Sequence, residues 1–284
     1  MNELQAELEQ AIKAHISASP LNRLRDIDGS PMFDEPLVGF AHGDDLLFDQ
    51  YKSVVAPEHL TPREALTALS AGGREPRVLE RVGVVSWVLP IVAETRLGNR
   101  QIDEGPCLRW NHTRFQGEEF NDSLRRYVVG WLEERGYIAV APVITQGFKT
   151  LHGPRGRAST WSERHMAYAA GLGTFGLSDG LITARGIAHR CGSVVVNAGW
   201  QASPRPFRDH REYCPYVHDE SCGACIERCP CGAIGPDGHD KDRCYQYIHA
   251  TLVEWTKRPG YLGEYVACGL CQTGVPCESC IPPL

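Results

Sequence analysis

The sequence lacks an apolar run long enough to cross a bilayer. Its longest, Val82–Ala93, falls well short of the roughly 20 residues that a spanning helix needs. It also lacks the basic excess of a typical nucleic-acid binder. Lys and Arg number 29 against 35 Asp and Glu, for a net charge of −6. Specific nucleic-acid binding is therefore not expected, although this balance still permits a local basic patch. The opening Met1-Asn2-Glu3-Leu4-Gln5 has the pattern of neither a secretion signal nor a twin-arginine leader. A hydrophobic share of 42% and a charged share of 23% are enough for a real globular core. At 284 residues the chain is one large domain or two.

Cysteine is abundant. Ten of the 12 lie between Cys214 and Cys280, as Cys214-x7-Cys222-x2-Cys225-x3-Cys229-Pro230, then Cys231 and Cys244, then Cys268-x2-Cys271-x5-Cys277-x2-Cys280. A [4Fe–4S] cluster needs four thiolates converging on one inorganic core. Cys-x2-Cys bends the backbone around such a core, and Cys-x3-Cys-Pro sends its last thiolate to a second cluster. The tail therefore reads as a ferredoxin-like module with two [4Fe–4S] clusters. Zinc competes, because Cys-x2-Cys also opens tetrahedral zinc sites. The run Cys229-Pro-Cys-Gly-Ala-Ile234 favours iron, since it resembles the close of bacterial ferredoxin motifs. Thiols at this density without a secretion signal fit a reducing cytoplasm and argue against a disulfide framework.

Leu4, Leu8, Ala11, Ile12 and Ile16 recur at helical spacing and predict an amphipathic helix. Residues 18–56, rich in Pro, Gly and Asp, read as loop. Thr61-Pro62-Arg63-Glu64 is a capping box with proline at the first helical position, and Gly72-Gly73 ends that helix. Val82–Ile91 reads as a strand buried on both faces. Asn121 or Asp122 caps the next helix, with Leu124, Tyr127, Val128, Trp131 and Leu132 as its buried stripe. A strand at Tyr137–Ile144 follows, so the order suggests an α/β layer.

Residues 145–160 form a basic, glycine-bearing loop. Lys149, His152, Arg155 and Arg157 offer charge for a phosphate or carboxylate, or simply face solvent. Thr160-Trp161-Ser162-Glu163 opens another helix with a capping box. Gly171, Gly173 and Gly176 make a G-x-G-x-x-G string that follows a helix rather than a strand, so a Rossmann reading fails on context. What remains is a main chain able to approach a bulky ligand. Strands are expected at Leu181–Thr183 and Ser193–Asn197, and Pro204-Arg205-Pro206 reads as a linker. Cys107 and Cys191 read as buried small hydrophobes.

The run Ser162-Glu163-Arg164-His165-x2-Tyr168-Ala169-Ala170-Gly171-Leu172-Gly173-x-Phe175-Gly176, followed by the cysteine tail, resembles the epoxyqueuosine reductase family, which is related to the reductive dehalogenases. The resemblance runs from about Val82 to the C-terminus. It implies a nitroreductase-like α/β domain holding a base-off corrinoid (cobalamin) beside one [4Fe–4S] cluster, with the second cluster passing electrons in. It assigns the corrinoid pocket to Gly171, Gly173, Thr174, Phe175 and Gly176. The domains expected are a helical and loop region over 1–80, a cofactor domain over 81–205 and the cluster module over 206–284.

Two departures from that family stand out. Its tRNA-modifying members continue into a helical repeat extension, whereas this sequence ends four residues after its last cysteine. The family's Arg-Asp-Tyr-His block, whose Asp donates a proton, is matched here by Arg109-Trp110-Asn111-His112. The catalytic candidates that could replace that Asp are His112 and Tyr168. Either may instead only pack.

Each ferredoxin motif keeps three ligands and lends its fourth to the other cluster. Cys214, Cys222, Cys225 and Cys277 then hold one cluster, and Cys229, Cys244, Cys268 and Cys271 the other. Residue 219, the usual first-ligand position, is Asp, so Cys214 substitutes with Cys231 in reserve; Cys280 is the reserve for Cys277. The leading expectation is a cytoplasmic iron–sulfur oxidoreductase. Flavodoxin, ferredoxin or a reductase would supply it with electrons, and a pocket-bound corrinoid would reduce a small organic substrate. The alternatives are an electron relay without a catalytic pocket and a tRNA-modifying reductase.

Overall fold

A computed structural model describes residues 2–69 and 80–283. The expected helix stop at Gly72-Gly73 lies outside the described residues. Helix α1 (Glu3–Ala18) starts at a capping box in which Asn2 and Gln5 exchange side-chain and backbone hydrogen bonds. It buries Leu8, Ile12 and Ile16, as the spacing predicts. Strand β1 (Leu37–His42) and helix α2 (Leu47–Val54) occupy part of the stretch read as loop. Pro36 and Gly43 bound a strand of only six residues, too short for its alternation to stand out. Helix α3 (Pro62–Leu69) has its capping box: Thr61 Oγ1 accepts from Glu64 N at 3.3 Å and Glu64 Oε2 from Thr61 N at 2.8 Å.

Strand β2 (Gly83–Pro90) is buried at every residue. After α4 (Ala93–Arg100), helix α5 runs 26 residues, Leu108–Glu133. Neither Asn121 nor Asp122 caps it. The N-cap is Cys107, whose sulfur accepts from Trp110 N. Asn121 sits mid-helix, accepting from Trp87 Nε1 at 2.9 Å and donating to the Cys191 carbonyl at 2.9 Å. A cap-type side chain was recruited to satisfy buried polar groups, which sequence spacing does not reveal. The strand expected at Tyr137–Ile144 shrinks to β3 (Ala139–Val140), because Pro142 opens a 3₁₀ turn. The basic loop is a hairpin, β4 (Thr150–Gly153) against β5 (Gly156–Ser159). Helix α6 (Glu163–Ala169) follows. Its N-cap Ser162 makes no side-chain capping bond; its hydroxyl lies 2.8 Å from His165 Nδ1. Then come β6 (Gly173–Phe175), β7 (Leu181–Thr183) and β8 (His189–Val196).

The main sheet has strand order β1-β2-β8-β3, and every pair is antiparallel. Alternate side chains point to opposite faces of a strand. Val85, Trp87 and Leu89 therefore meet α1 and α5 through Leu8, Ile12, Phe120, Leu124 and Val128. Val84 meets α2, α3 and α6 through Phe48, Tyr51, Leu66 and Met166. This is a mixed α/β architecture with helices on both faces. Residues 2–69 are part of it, since α1 and β1 contribute to the same core. No described helix is long and apolar enough to cross a membrane.

The cysteine region has only short elements: α7 (Pro215–Asp219), α8 (Ala224–Glu227), the two-residue strands β9 (Ile234–Gly235) and β10 (Gly238–His239), and α9 (Lys241–Gln246). Helix α4 braces it. Buried Asn99 donates to the Cys268 carbonyl and to Thr273 Oγ1, both at 3.1 Å, and accepts from Cys107 N. Arg100 forks onto buried Glu278 at 2.7 and 2.9 Å.

Candidate metal centre

Cys214 at the start of α7, Cys222, Cys225 on α8 and Cys277 line one narrow cavity. Its remaining wall includes Gly176, Leu177, Ile182, Ile187 and Val275. Burial pushes the Cys225 thiol up to about 12, with Cys214 and Cys222 adding to the effect. Cys277 rises to about 12 for the same reason, with Cys225, Cys214 and Cys222 as neighbours. These are the four thiols that the ferredoxin pattern assigns together. Cys214 lines this cavity, whereas Asp219 borders the open hollow beside it.

A second group gathers Cys229, Cys231, Cys244, Cys268 and Cys271. Burial raises Cys244 to about 12, helped by Cys268, Cys231 and Cys229. It raises Cys271 well above the ordinary thiol value, helped by Cys268 and Cys244. Cys231 therefore belongs with this second group rather than standing by for Cys214. Its sulfur is 3.8 Å from that of Cys229. The groups adjoin, since Cys271 feels Cys225 and Cys225 feels Cys229. Cys280 is exposed and bonds only the Pro276 carbonyl. Among the described residues, no three His, Cys, Asp or Glu side chains converge tightly enough to hold a single metal ion. A cationic centre would draw protons from these buried thiols and hold them as thiolates. The region fits an iron–sulfur module.

Near the second group lies a cluster of charged and titratable side chains that the sequence did not announce. Burial pulls Arg190 down to about 10, lifts Cys191 to about 12 and depresses His189 to about 4. Cys191 Sγ is 3.5 Å from His189 Nδ1, a thiol and imidazole both held neutral. Glu118 bridges Arg190 Nη1 at 3.2 Å and buried Arg125 Nη1 at 2.9 Å. Glu163 pairs with Arg125 at 3.1 Å and accepts from Ser193 Oγ; burial raises its carboxyl. The charge of exposed Arg164 is felt by both Cys191 and Cys244.

The remaining candidates scatter. His112 is buried, its Nε2 2.7 Å from the Gly260 carbonyl. Trp110, at the family's Asp position, is buried against Gly269. The Tyr168 ring stacks on Phe207, and Arg205, Asp209 and Asp45 surround its phenol, which burial pushes up. His112 and Tyr168 are not brought together. In the glycine block, a Cβ on Gly173 would come within 2.1 Å of the Ile182 carbonyl and one on Gly171 within 2.3 Å of that of Pro204. The chain's own backbone thus accounts for glycine at both positions. Thr174 Oγ1 accepts from Tyr213 N at 2.9 Å, Phe175 packs on His165 and Tyr168, and Gly176 lines the first thiol cavity. Lys149, Arg155 and Arg157 are exposed on the hairpin. Arg157 lies 3.6 Å over the ring of Tyr245, next to Cys244 on α9.

No protein-family model and no curated protein matches the sequence. Solved structures do. A selenomethionine-labelled epoxyqueuosine reductase aligns with a TM-score of 0.54 at 14% identity, over 98% of this chain and 70% of its own. The epoxyqueuosine reductase of Streptococcus thermophilus aligns at 0.54 and 15% identity, over 100% of this chain and 68% of its own. An epoxyqueuosine reductase bound to an epoxyqueuosine-modified tRNA stem loop aligns at 0.48 and 18% identity, over 97% and 65%. At these identities the likeness is one of architecture: the chain has the epoxyqueuosine reductase fold.

Proposed function

We propose that this chain is an iron–sulfur reductase carrying two [4Fe–4S] clusters, and that its substrate is the epoxide of a modified tRNA nucleoside. The observation that carries the first half is the cavity lined by Cys214, Cys222, Cys225 and Cys277. Four converging thiols match one cluster, and the adjoining group supplies ligands for another. The first cluster, held by Cys214, Cys222, Cys225 and Cys277, would lie where Leu177 and Tyr216 also border an open surface hollow with Arg211 and His218, an approach for an electron donor. Removing an epoxide oxygen as water takes two electrons and two protons, and the two clusters would supply the electrons one at a time. Burial raises the Glu163 carboxyl and the Cys191 thiol, which join His112 and Tyr168 as candidate proton donors.

The substrate half rests on the fold shared with structures named as epoxyqueuosine reductases. It replaces the expectation against nucleic acid drawn from net charge. A net charge averages over the whole surface, while Lys149, Arg155 and Arg157 place positive charge on one exposed hairpin beside the second thiol group, where His152 faces Asp242. Cobalamin is the pocket ligand that the resemblance implies. Gly171 and Gly173, two of the residues assigned to it, offer it no open main chain and do not fit it. Trp110 in place of the family's carboxylate favours a second reading, a reductase of a small oxygenated or halogenated molecule.

The test is anaerobic purification followed by turnover with a reduced electron source and an epoxyqueuosine-bearing stem loop. Roughly eight irons and eight sulfides per chain are expected, together with loss of one oxygen atom from the nucleoside. Colourless, zinc-containing protein overturns the cluster reading. Full iron with an untouched epoxide overturns the substrate reading and leaves the small-molecule one.

A further inference from the structure

The second thiol group holds one sulfur more than a cubane cluster can use. Cys229, Cys244, Cys268 and Cys271 make four, and Cys231 is a fifth whose sulfur lies beside that of Cys229. The Cys229-Pro230-Cys231-Gly232 turn creates this crowding. Pro230 fixes its φ, Gly232 takes φ +63°, and Gly232 N closes the turn on the Cys229 carbonyl at 3.1 Å. The two sulfurs end 3.8 Å apart, within sulfur hydrogen-bond range. The Ala233 amide donates to Cys229 Sγ at 3.2 Å and also reaches Cys231, so one donor can serve whichever sulfur carries the charge. The first group has no such surplus, since its cavity is lined by four cysteines.

We propose that Cys229 and Cys231 are interchangeable ligands to one iron of the second cluster. This rests on the two-cluster reading. In the exchange the bond from iron to Cys229 Sγ breaks as the bond to Cys231 Sγ forms, and the thiol proton of Cys231 passes to the sulfur of Cys229. No electron is gained or lost, and no further reactant is needed. The second cluster can then survive the loss of one ligand.

Iron content, the electron paramagnetic resonance of the reduced protein and native alkylation test this without any activity assay. The unsubstituted chain should hold roughly eight irons, and iodoacetamide should label one of the two cysteines by peptide mass. Cys229→Ser and Cys231→Ser should each keep both clusters, with the surviving sulfur now protected from alkylation. Cys229→Ser should also shift the resonance of one cluster. The double substitution should fall to roughly four irons, with the first cluster's signal intact. If either single variant loses a whole cluster, or the double variant keeps both, the interchange is wrong while the two-cluster reading stands. An unsubstituted chain with no more than four irons overturns both.

Discussion

The sheet half and the cysteine half of this molecule are held together by different physics. In the first, β2 is buried at all eight residues, and both of its faces are covered by helices whose apolar stripes meet Val84, Val85, Trp87 and Leu89. In the second, α7 and α8 have only five and four residues, far below the length at which a helix persists alone, and α9 loses its α geometry after Gln246, running on as a π turn and a 3₁₀ stretch to Lys257. Its small apolar cluster, around Ile182, Ile187, Ile234 and Val275, includes the cysteines themselves. Buried thiols that repel one another once charged are a poor core until a cation neutralises them. One half therefore folds on apolar burial, and the proposed clusters would complete the core of the other.

The largest effect should come from removing iron. Anaerobic chelation should expose the amides of residues 206–284 to rapid hydrogen exchange while those of β2 and β8 stay protected. Uniform loss of protection would erase the distinction between the halves. Cys222→Ser and Cys271→Ser come next, each removing one cluster, roughly four irons, and lowering the melting temperature; Cys107→Ser should leave iron unchanged, because that sulfur caps α5.

In the sheet half, Phe120→Ala should cost about 3–5 kcal/mol in denaturant unfolding, since the ring is fully buried, with the iron count of the folded protein preserved. The halves should also differ in acid. Burial holds His59 down to about 4. Its stabilising contribution is therefore complete above the unfolded value of about 6.5 and is lost as pH falls through about 4, a change on the order of 3 kcal/mol. Unfolding midpoints at pH 7 and pH 4 should converge partly in His59→Gln. The smallest effect should be at the hairpin. Arg155→Ala should leave iron and stability unchanged while reducing the salt dependence of stem-loop binding by about one phosphate contact; an unchanged salt slope would remove the hairpin from the nucleic-acid face.

The gathering of Cys214, Cys222, Cys225 and Cys277 was legible because local spacing sets where neighbouring thiols point. Cys-x2-Cys and Cys-x3-Cys-Pro carry their geometry with them, and the four cysteines paired by that rule do line one cavity. Cys231 was misassigned because Cys229-Pro-Cys-Gly turns back toward the second group, a direction that spacing does not encode. The glycine string was legible as a backbone requirement but not as to its cause. Ile182 and Pro204, which crowd Gly173 and Gly171, lie outside the string. Helix α5 was read a few turns too late, since Asn121 resembles a cap until Trp87 and Cys191 are seen to claim its side chain.

By itself the sequence determined β2 as a doubly buried strand, the capping box at Thr61, the helix that ends near Gly136 and the concentration of thiols after residue 213. Each depends on residues within a few positions of one another, where propensity and periodicity act. Only the tertiary structure decided the charge cluster around Arg125. Its parts come from α5, from the N-terminus of α6 and from the start of β8, and Glu118, Glu163 and Arg190 meet around Arg125. The charges become a site only when the sheet and its helices close over them, because desolvation depends on what surrounds a group in space, not on its neighbours along the chain.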